Sequence, residues 1–233
     1  MTSPPAAPKL PAIVIVAAGH GSRFQGAGHK LAQPLHGGNV LAMTLAHAAA
    51  TQLPVVVVTT AALAQTVRDA PTKSKLVILP NVGVSQSTKT GMGYSIVAGV
   101  RASADASGWL ILPADMPLIR TATLLDVAAQ LPQCPAVFAQ FRGQRGHPVG
   151  FSAALQAELL GLAGDEGARS ILARHAAHGV AVEDLGVLID IDTEADLARV
   201  RKLVSRIACE ETGSIDRSLR ADSLLPMSHG TRT

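Results

Sequence analysis

The feature of this sequence that most constrains its fold is a regular alternation of short apolar runs with longer segments rich in Ala and Leu. The first three runs, residues 12–18, 55–58 and 76–79, have the length and composition of buried strands. The segments between them, residues 41–50 and 63–68, have helical periodicity. This βαβαβ pattern predicts an α/β fold with a mostly parallel sheet, helices on both faces and right-handed crossovers.

The alternation continues to about residue 140 and then changes. Two further helices are predicted at residues 93–102 and 121–130, and they lead into strands at residues 109–112 and 136–140. The next segment, FRGQRGHPVGF, is typical of a hairpin with a glycine in its turn. We therefore expect the second half of the chain to add a substrate-facing unit to the sheet rather than another crossover.

The remaining elements are weaker in pattern. The sequence predicts helices at residues 153–160 and 168–175 and a short strand at residues 180–182. Thr193, with Asp196 three residues later, forms a capping box that begins a last helix over residues 194–204. Beyond residue 206 the periodicity is lost.

Composition excludes several classes of function. The net charge of +3 comes from scattered Lys and Arg, and only 3% of the residues are aromatic, so no nucleic-acid surface is expected. Cys134 and Cys209 form no C-x-x-C pair, which argues against a zinc site. The N-terminal MTSPPAAPKLPA lacks the pattern of a secretion signal, and the strand-like apolar runs are too short to cross a bilayer. We expect a cytoplasmic protein without a membrane partner.

The segment AAGHGSRFQGAGHK directly follows the first predicted strand. Glycines let backbone N–H groups approach phosphate oxygens, and nearby cations neutralise their charge. The segment has four such glycines and two cations: Gly19, Gly21, Gly26, Gly28, Arg23 and Lys30. It lacks the G-x-x-x-x-G-K-[ST] of a P-loop, and Phe24 stands where a dinucleotide fingerprint needs glycine. A triphosphate loop is favoured, and a glycine turn without a ligand is the open alternative.

Carboxylates occur where a metal could bridge such a triphosphate. Asp115, between Pro113 and Pro117, follows the fourth strand, and Asp190 and Asp192 share one face of an extended segment. Mg²⁺ binds one or two carboxylates together with phosphate oxygens. The alternatives are that Asp115 caps a helix or a turn and that the later pair caps the last helix.

Taken together, these motifs resemble a known family. The segments VAAGHGSRF, NVGVSQSTKTGMGYSIVAG, LPADMPL, GQRGHPVGF, GDEGAR and DIDTEADL resemble, in this order, the MobA-like NTP transferases that act on molybdenum cofactor, and among them the cytidylyltransferases. The resemblance covers residues 13–204. It implies a Rossmann-like three-layer nucleotidyltransferase fold with a small acceptor-side β/α addition. It also implies Mg²⁺, with Mn²⁺ as a substitute, and transfer of CMP from CTP to the phosphate of a molybdopterin-type cofactor, releasing pyrophosphate.

The resemblance also implies roles for individual residues. The residues implied to bind the nucleotide are Ala17, Ala18, Gly19, Gly21, Arg23, Lys30, Gly91 and Ser95. Metal binding falls on Asp115 and Asp192, catalysis on Lys30, Arg23 and Asp115, and acceptor binding on His147, Asp165 and Arg169. His147 could instead brace a turn, Asp165 could cap a helix, and Met92 could serve packing alone.

The nucleotide loop differs from the family pattern at one place. Members commonly have Met and Gly after the loop arginine and Asn or Asp before the lysine, whereas Phe24, Gln25 and His29 occupy that region here. Ala18 stands where guanylyl-transferring relatives tend to have glycine, which favours cytidine.

One domain over residues 12–205 follows from the chain length. We expect residues 12–133 to form a nucleotide-binding half and residues 134–205 an acceptor-side half. Residues 1–11 are expected to be flexible, and residues 206–233 to form a mobile tail.

Two other functions remain open on the sequence alone. The chain could transfer a nucleotide to another phosphorylated acceptor, such as a sugar phosphate, a terpenoid phosphate or a phospho-hydroxy acid. It could also be a non-catalytic binding protein that carries nucleotide or cofactor to a molybdoenzyme or to the chaperone of one.

Overall fold

The computed structural model describes residues 8–19, 21, 23–70, 72–79, 91–164 and 166–221, with residues 209–221 given by their backbone alone. The strands are β1 Ala12–Ala17, β2 Pro34–Leu35, β3 Gly38–Asn39, β4 Val55–Thr60, β5 Lys75–Leu79, β6 Gly108–Pro113, β7 Ala136–Phe141, β8 Gln144–Ser152 and β9 His178–Ala181. The helices are α1 Val40–Ala50, α2 Ala61–Asp69, α3 Met92–Ala102, α4 Thr121–Gln130, α5 Gln156–Leu160, α6 Arg169–Arg174 and α7 Glu194–Ala221. Short 3₁₀ helices span Lys30–Ala32, Ala153–Leu155 and Leu185–Leu188.

Seven strands form one sheet in the order β5-β4-β1-β6-β8-β7-β9. The first four run parallel, with Val14 opposite Val56 on one side and opposite Ile111 on the other. Strand β8 is antiparallel to both of its neighbours, and β9 returns parallel to β7. The prediction of a mostly parallel sheet is confirmed, and the predicted hairpin is the β7–β8 pair, which turns at Arg142 and Gly143.

Apolar cores cover both faces of the sheet. Ile15 lies in a core formed with α1, α2, α4 and α7, while its neighbour Val14 lies in a second core formed with α3, α5 and α6. Because successive strand residues point to opposite faces, a strand buried on both sides is a continuous apolar run. This explains the composition of β1 and gives the predicted three layers.

Helix α7 is longer than the sequence pattern predicts. The end expected at Val204 is wrong, since the helix continues to Ala221. Residues 205–221 contain no proline, and Arg, Glu, Ala and Leu make up eight of the seventeen, so the sequence permits the helix to continue without a clear apolar stripe to mark it. The mobility of residues 206–233 and the division into two halves stay predictions.

Two local elements near the first loop carry no periodic signal and were not predicted. One is the 3₁₀ helix at Lys30–Ala32, whose first N–H groups are capped by the imidazole Nδ1 of His29, which accepts from Leu31 N at 3.2 Å. The other is the β2–β3 hairpin, whose turn has positive φ angles at His36 and Gly37.

A buried carboxylate, Asp184, ties the segment after β9 to α4. It is 3% exposed and accepts hydrogen bonds from Arg120 N at 2.9 Å, Thr123 Oγ1 at 2.7 Å and Gly186 N at 2.9 Å. These partners satisfy a charge whose burial would otherwise be costly. In the part of the chain that the structure describes, no helix has the length and apolar character needed to cross a membrane.

Candidate active site at the carboxyl edge of the sheet

The parallel strands β1 and β6 end side by side and deliver the first loop and Asp115 to the same edge of the sheet. Ala114 N donates to Val16 O at 3.2 Å, which continues the β1–β6 pairing up to the residue before Asp115. From α1, the Thr44 hydroxyl donates to Ala114 O at 2.9 Å. The backbone that carries Asp115 is therefore fixed from two sides.

Asp192 reaches the same place from the other end of the sequence. Ile191 N donates to Asp115 O at 3.0 Å, so the two carboxylate-bearing segments are joined through their main chains. The predicted capping box is confirmed, since Asp196 N donates to Thr193 Oγ1 at 3.2 Å and Thr193 N donates to Asp196 Oδ2 at 3.0 Å. Asp196 Oδ2 also accepts from Asp192 N at 3.3 Å, so the cap of α7 holds Asp192 in place.

The ammonium group of Lys30 lies between the two carboxylates. Its Nζ is 2.6 Å from Asp115 Oδ2 and 2.8 Å from Asp192 Oδ1, and the side chain is 10% exposed. Burial by itself lowers the pKa of Lys30, but the charge and hydrogen bonds of Asp115 and then of Asp192 outweigh it, so the pKa is raised. Lys30 is therefore charged throughout the physiological range.

Arg23 completes this cluster from the solvent side. Its Nη1 is 2.6 Å from Asp192 Oδ2, and its side chain is 76% exposed. The loop between the two cations is braced by His29, whose Nε2 lies 3.1 Å from Gly19 O. Nδ1 of the same ring accepts from Leu31 N, so contacts of His29 hold the loop on both sides of the ring. Sequence reasoning noted His29 only as a departure and missed this role, for which its position beside Lys30 was the available signal.

The predicted nucleotide-binding residues Gly91 and Ser95 lie at the start of α3. Gly91 has a φ of 137°, in the region that glycine favours. Gly93 N donates to Gly164 O at 3.1 Å, and a Cβ at Gly93 would lie 2.8 Å from Glu166 O. The Ser95 hydroxyl is buried and lies 3.5 Å from Gly91 O. Close backbone packing thus places this segment against the loop before α6.

Of the predicted acceptor residues, His147 is the best defined. Burial lowers the pKa of its imidazole, opposed by the charges of Asp115 and Asp190 and assisted by that of Arg169. Among the described residues its buried Nδ1 has no hydrogen-bond partner. Arg169 is exposed at the first turn of α6, and Asp165 lies outside the described residues. His147 is thus a partly buried imidazole whose Nδ1 is free within the described part of the chain, and it lies close enough to Asp115 for that carboxylate to influence its pKa.

The cluster is also suited to a hard divalent cation. No group of three or more His, Cys, Asp or Glu capable of holding a metal exists within the described ranges. Asp115 and Asp192 nevertheless converge on one cationic nitrogen, so their oxygens face a common point. Mg²⁺ typically takes one or two protein carboxylates and completes its shell with phosphate oxygens and water. The two carboxylates therefore fit a metal that arrives with a nucleotide.

Comparison with known proteins agrees with this geometry. Residues 13–180 match the MobA-like NTP transferase domain. Purine catabolism protein PucB of Bacillus subtilis (strain 168) is 37% identical over 127 residues, which cover 52% of this chain and 62% of PucB. The alignment thus spans less than two thirds of the length of that relative.

Two solved proteins share the whole architecture. Rv0371c from Mycobacterium tuberculosis H37Rv is 25% identical, with a TM-score of 0.71 over 84% of this chain and 99% of its own. Rv0371c has also been solved in complex with manganese. That structure is 24% identical in sequence, with a TM-score of 0.66, and the alignment covers 84% of this chain and 99% of Rv0371c. Mth528, a nucleotidyl transferase from Methanothermobacter thermautotroptrophicus, is 25% identical, with a TM-score of 0.72. The alignment covers 85% of this chain and 99% of Mth528.

The sheet order, the loop after β1 and the domain match lead to one conclusion. The fold is the Rossmann-like nucleotidyltransferase fold, as predicted. The chain belongs to the MobA-like NTP transferase family.

Proposed function

We propose that the protein transfers CMP from CTP to the terminal phosphate of a molybdopterin-type cofactor and releases pyrophosphate. The observation that carries the proposal is the convergence of Asp115, Asp192 and Lys30 at the carboxyl edge of the sheet. It supplies two carboxylates for a divalent metal and a buried cation for phosphates in one place. The manganese complex of Rv0371c supports a divalent metal, and Mg²⁺ is the ion that we propose here.

The residues act by positioning and by neutralising charge, because phosphoryl transfer needs little covalent help from a protein. An oxygen of the acceptor phosphate attacks the α-phosphorus of CTP in line, and the bond to the β-phosphate oxygen breaks. Lys30 and Arg23 stabilise the charge that builds on the transferred group and on pyrophosphate. A Mg²⁺ ion held by Asp115 and Asp192 would supply Lewis-acid stabilisation of the phosphate oxygens.

Different residues are proposed to bind the nucleotide and the acceptor. The backbone of Ala17, Ala18 and Gly19, which follows β1, is proposed to bind the nucleotide together with Gly91 and Ser95. Ala18 supports cytidine over guanosine, through the family resemblance.

On the acceptor side we propose His147 and Arg169, with Asp165. A neutral His147 can exchange a hydrogen bond with a polar acceptor, and Arg169 adds positive charge for its phosphate. Delivery of the product to a molybdoenzyme or to its chaperone, and a cytoplasmic location, remain part of this proposal.

The test is incubation with each of the four NTPs, Mg²⁺ and purified molybdopterin cofactor, followed by mass analysis of the adduct and measurement of pyrophosphate. We expect a cytidine dinucleotide and little adduct with the other nucleotides. A guanosine or adenosine adduct would contradict the base assignment alone.

A second panel tests the acceptor. Sugar phosphates, terpenoid phosphates and phospho-hydroxy acids replace the cofactor, with CTP and Mg²⁺ held constant. Pyrophosphate release with one of these acceptors, and not with molybdopterin, would replace the proposed acceptor. CTP binding without pyrophosphate release from any acceptor would favour a non-catalytic carrier.

A further inference from the structure

The carboxylates proposed to hold the metal are already paired with the cations proposed to hold the triphosphate. Asp115 Oδ2 and Asp192 Oδ1 accept from Lys30 Nζ, and Asp192 Oδ2 pairs with Arg23 Nη1. Three carboxylate oxygens are thus engaged by cationic groups of the chain itself. Two positive and two negative charges balance, so the site is close to neutral as it stands.

A divalent metal bound to the same carboxylates cannot coexist with this arrangement. The ammonium nitrogen sits 2.6 Å and 2.8 Å from the two oxygens that converge, which is the space that a metal bound to both would need. A metal added beside Lys30 would also be repelled by that charge, and the lysine side chain is only 10% exposed, so water screens it poorly.

We propose that Lys30 competes with the divalent metal for Asp115 and Asp192, and that the triphosphate relieves the competition by drawing Lys30 onto its own oxygens. The inference rests on the proposed function for the role of the triphosphate. Because of this competition, the protein should bind the metal–nucleotide complex more tightly than it binds the metal or the nucleotide alone. Lys30 is then both a phosphate ligand and the residue that sets the order of loading.

Arg23 contributes to the same competition more weakly. It engages Asp192 only, and its side chain is 76% exposed, so solvent screens its charge. His29 braces the loop that carries both cations through its contacts with Gly19 O and Leu31 N. Removing either positive charge should strengthen binding of the metal alone, and removing Lys30 should have the larger effect.

The first experiment measures Mn²⁺ binding without nucleotide, from the electron paramagnetic resonance signal of the free ion. We expect Lys30→Met to bind Mn²⁺ roughly tenfold more tightly than wild type, because one close positive charge is lost. Lys30→Arg keeps the charge and should bind like wild type. Lys75→Met, which removes a lysine that contacts Ala102 O at the opposite edge of the sheet, is the matched control and should not change binding.

Two further variants keep this test decisive. Asp115→Asn should weaken Mn²⁺ binding in every background, which locates the ion at the carboxylates. If circular dichroism shows that Lys30→Met does not fold, Arg23→Met takes its place in the test. We expect Arg23→Met to bind Mn²⁺ more tightly than wild type, with a smaller gain in affinity than the roughly tenfold expected for the lysine variant. Unchanged or weaker binding in the folded lysine variant, or binding that is insensitive to Asp115→Asn, would overturn the proposal.

The second experiment examines the triphosphate. Calorimetry compares binding of α,β-methylene-CTP in excess Mg²⁺ and in EDTA, for wild type and for Lys30→Met. We expect the Mg²⁺-dependent gain in affinity to be larger in wild type, because only there must the Lys30 ammonium leave the carboxylates. Equal gains in both forms would overturn the proposal. These readouts involve binding alone, so an absence of pyrophosphate release would contradict the proposed function without touching this result.

Discussion

At the level of single residues, the charges of the site depend on one another, because the Lys30 ammonium lies between two carboxylates. The pair Asp115 and Asp192 holds the pKa of Lys30 above its usual range despite burial. Such a cluster is strongly coupled, because removing one member leaves an uncompensated charge in a poorly solvated place. Substitutions at these residues therefore need readouts that separate chemistry from folding.

Asp115→Asn is the most direct test of the chemistry. The change keeps the shape of the side chain but removes the charge that pairs with Lys30 and that the proposed metal would need. We expect the rate of pyrophosphate release to fall by roughly a hundredfold to a thousandfold, the scale seen when a charge-stabilising group is lost. The far-ultraviolet circular dichroism should be unchanged.

Asp126→Asn is the matched control, since Asp126 is an exposed carboxylate on α4. It should retain wild-type turnover. Near-normal turnover in Asp115→Asn would rule out its proposed role in catalysis.

His47 gives a pH dependence of folding stability. Burial lowers the pKa of this imidazole from its ordinary value of 6.5, partly opposed by the charge of Asp184. The unfolded chain therefore takes up a proton near that value while the folded chain resists it. The stability of the native state is thus fully present above the unfolded pKa and declines as the pH falls below it.

The measurement is urea unfolding between about pH 7.5 and pH 5.5, a window above the range in which carboxylates titrate. We expect wild type to lose stability on acidification and His47→Gln to lose less. His147, whose pKa is also lowered by burial, should supply part of the remaining slope. Equal slopes for wild type and His47→Gln would contradict the assignment.

At the scale of elements, the cap of α7 links folding to the site. Thr193 and Asp196 bond reciprocally, and Asp196 also accepts from the backbone of Asp192. Thr193→Ala should lower the free energy of unfolding by about 1 kcal/mol, the usual cost of a lost N-cap. Thr193→Ser keeps the hydroxyl and should be close to wild type in the same urea titration. A loss of equal size in both variants would show that the hydroxyl is not responsible.

Most elements could be predicted from the sequence because their signals are local. The runs at β1 and β4 and the helix at α4 agree with the structure to within one or two residues, since side-chain period and length determine them. The 3₁₀ helix at Lys30–Ala32 could not be predicted in this way, because a side-chain cap and not a periodic pattern forms it. The end of α7 was misplaced because the sequence of residues 205–221 carries no clear apolar stripe.

The site was predictable only in part, for a similar reason. Strand ends and residue chemistry were enough to select Asp115 and Lys30 as candidates, whereas the choice of Asp192 over Asp190 came from the family resemblance. Their convergence at one edge of the sheet was expected. The direct ion pairs of Lys30 with carboxylates 85 and 162 residues away were not, because the lysine was expected to contact phosphate. Asp184 was missed altogether, since its hydrogen bonds to Arg120 and Thr123 arise only once β9 and α4 pack together.

At the scale of the whole molecule, stability depends on apolar layers on both faces of one sheet. Ile15 on β1 belongs to one layer, and Ile111 on the adjacent β6 belongs to the other. Replacing either with alanine should cost about 2–5 kcal/mol in urea unfolding, because each leaves a cavity in a closed core.

A third substitution serves as the control for this comparison. Leu125→Ala on α4 removes a leucine that is 42% exposed and should cost much less than either isoleucine change. A small cost at Ile15 or Ile111 would mean that one face of the sheet is open to solvent.

The main-chain hydrogen bond from Ile191 to Asp115 has an evolutionary consequence. It ties two distant segments together without using a side chain, so substitutions nearby leave the spacing of the two acidic groups unchanged. The loops proposed to contact the base and the acceptor can then differ in sequence around this fixed point. A single ancestral scaffold of this kind can therefore acquire new substrates by loop replacement while its reaction chemistry is inherited intact.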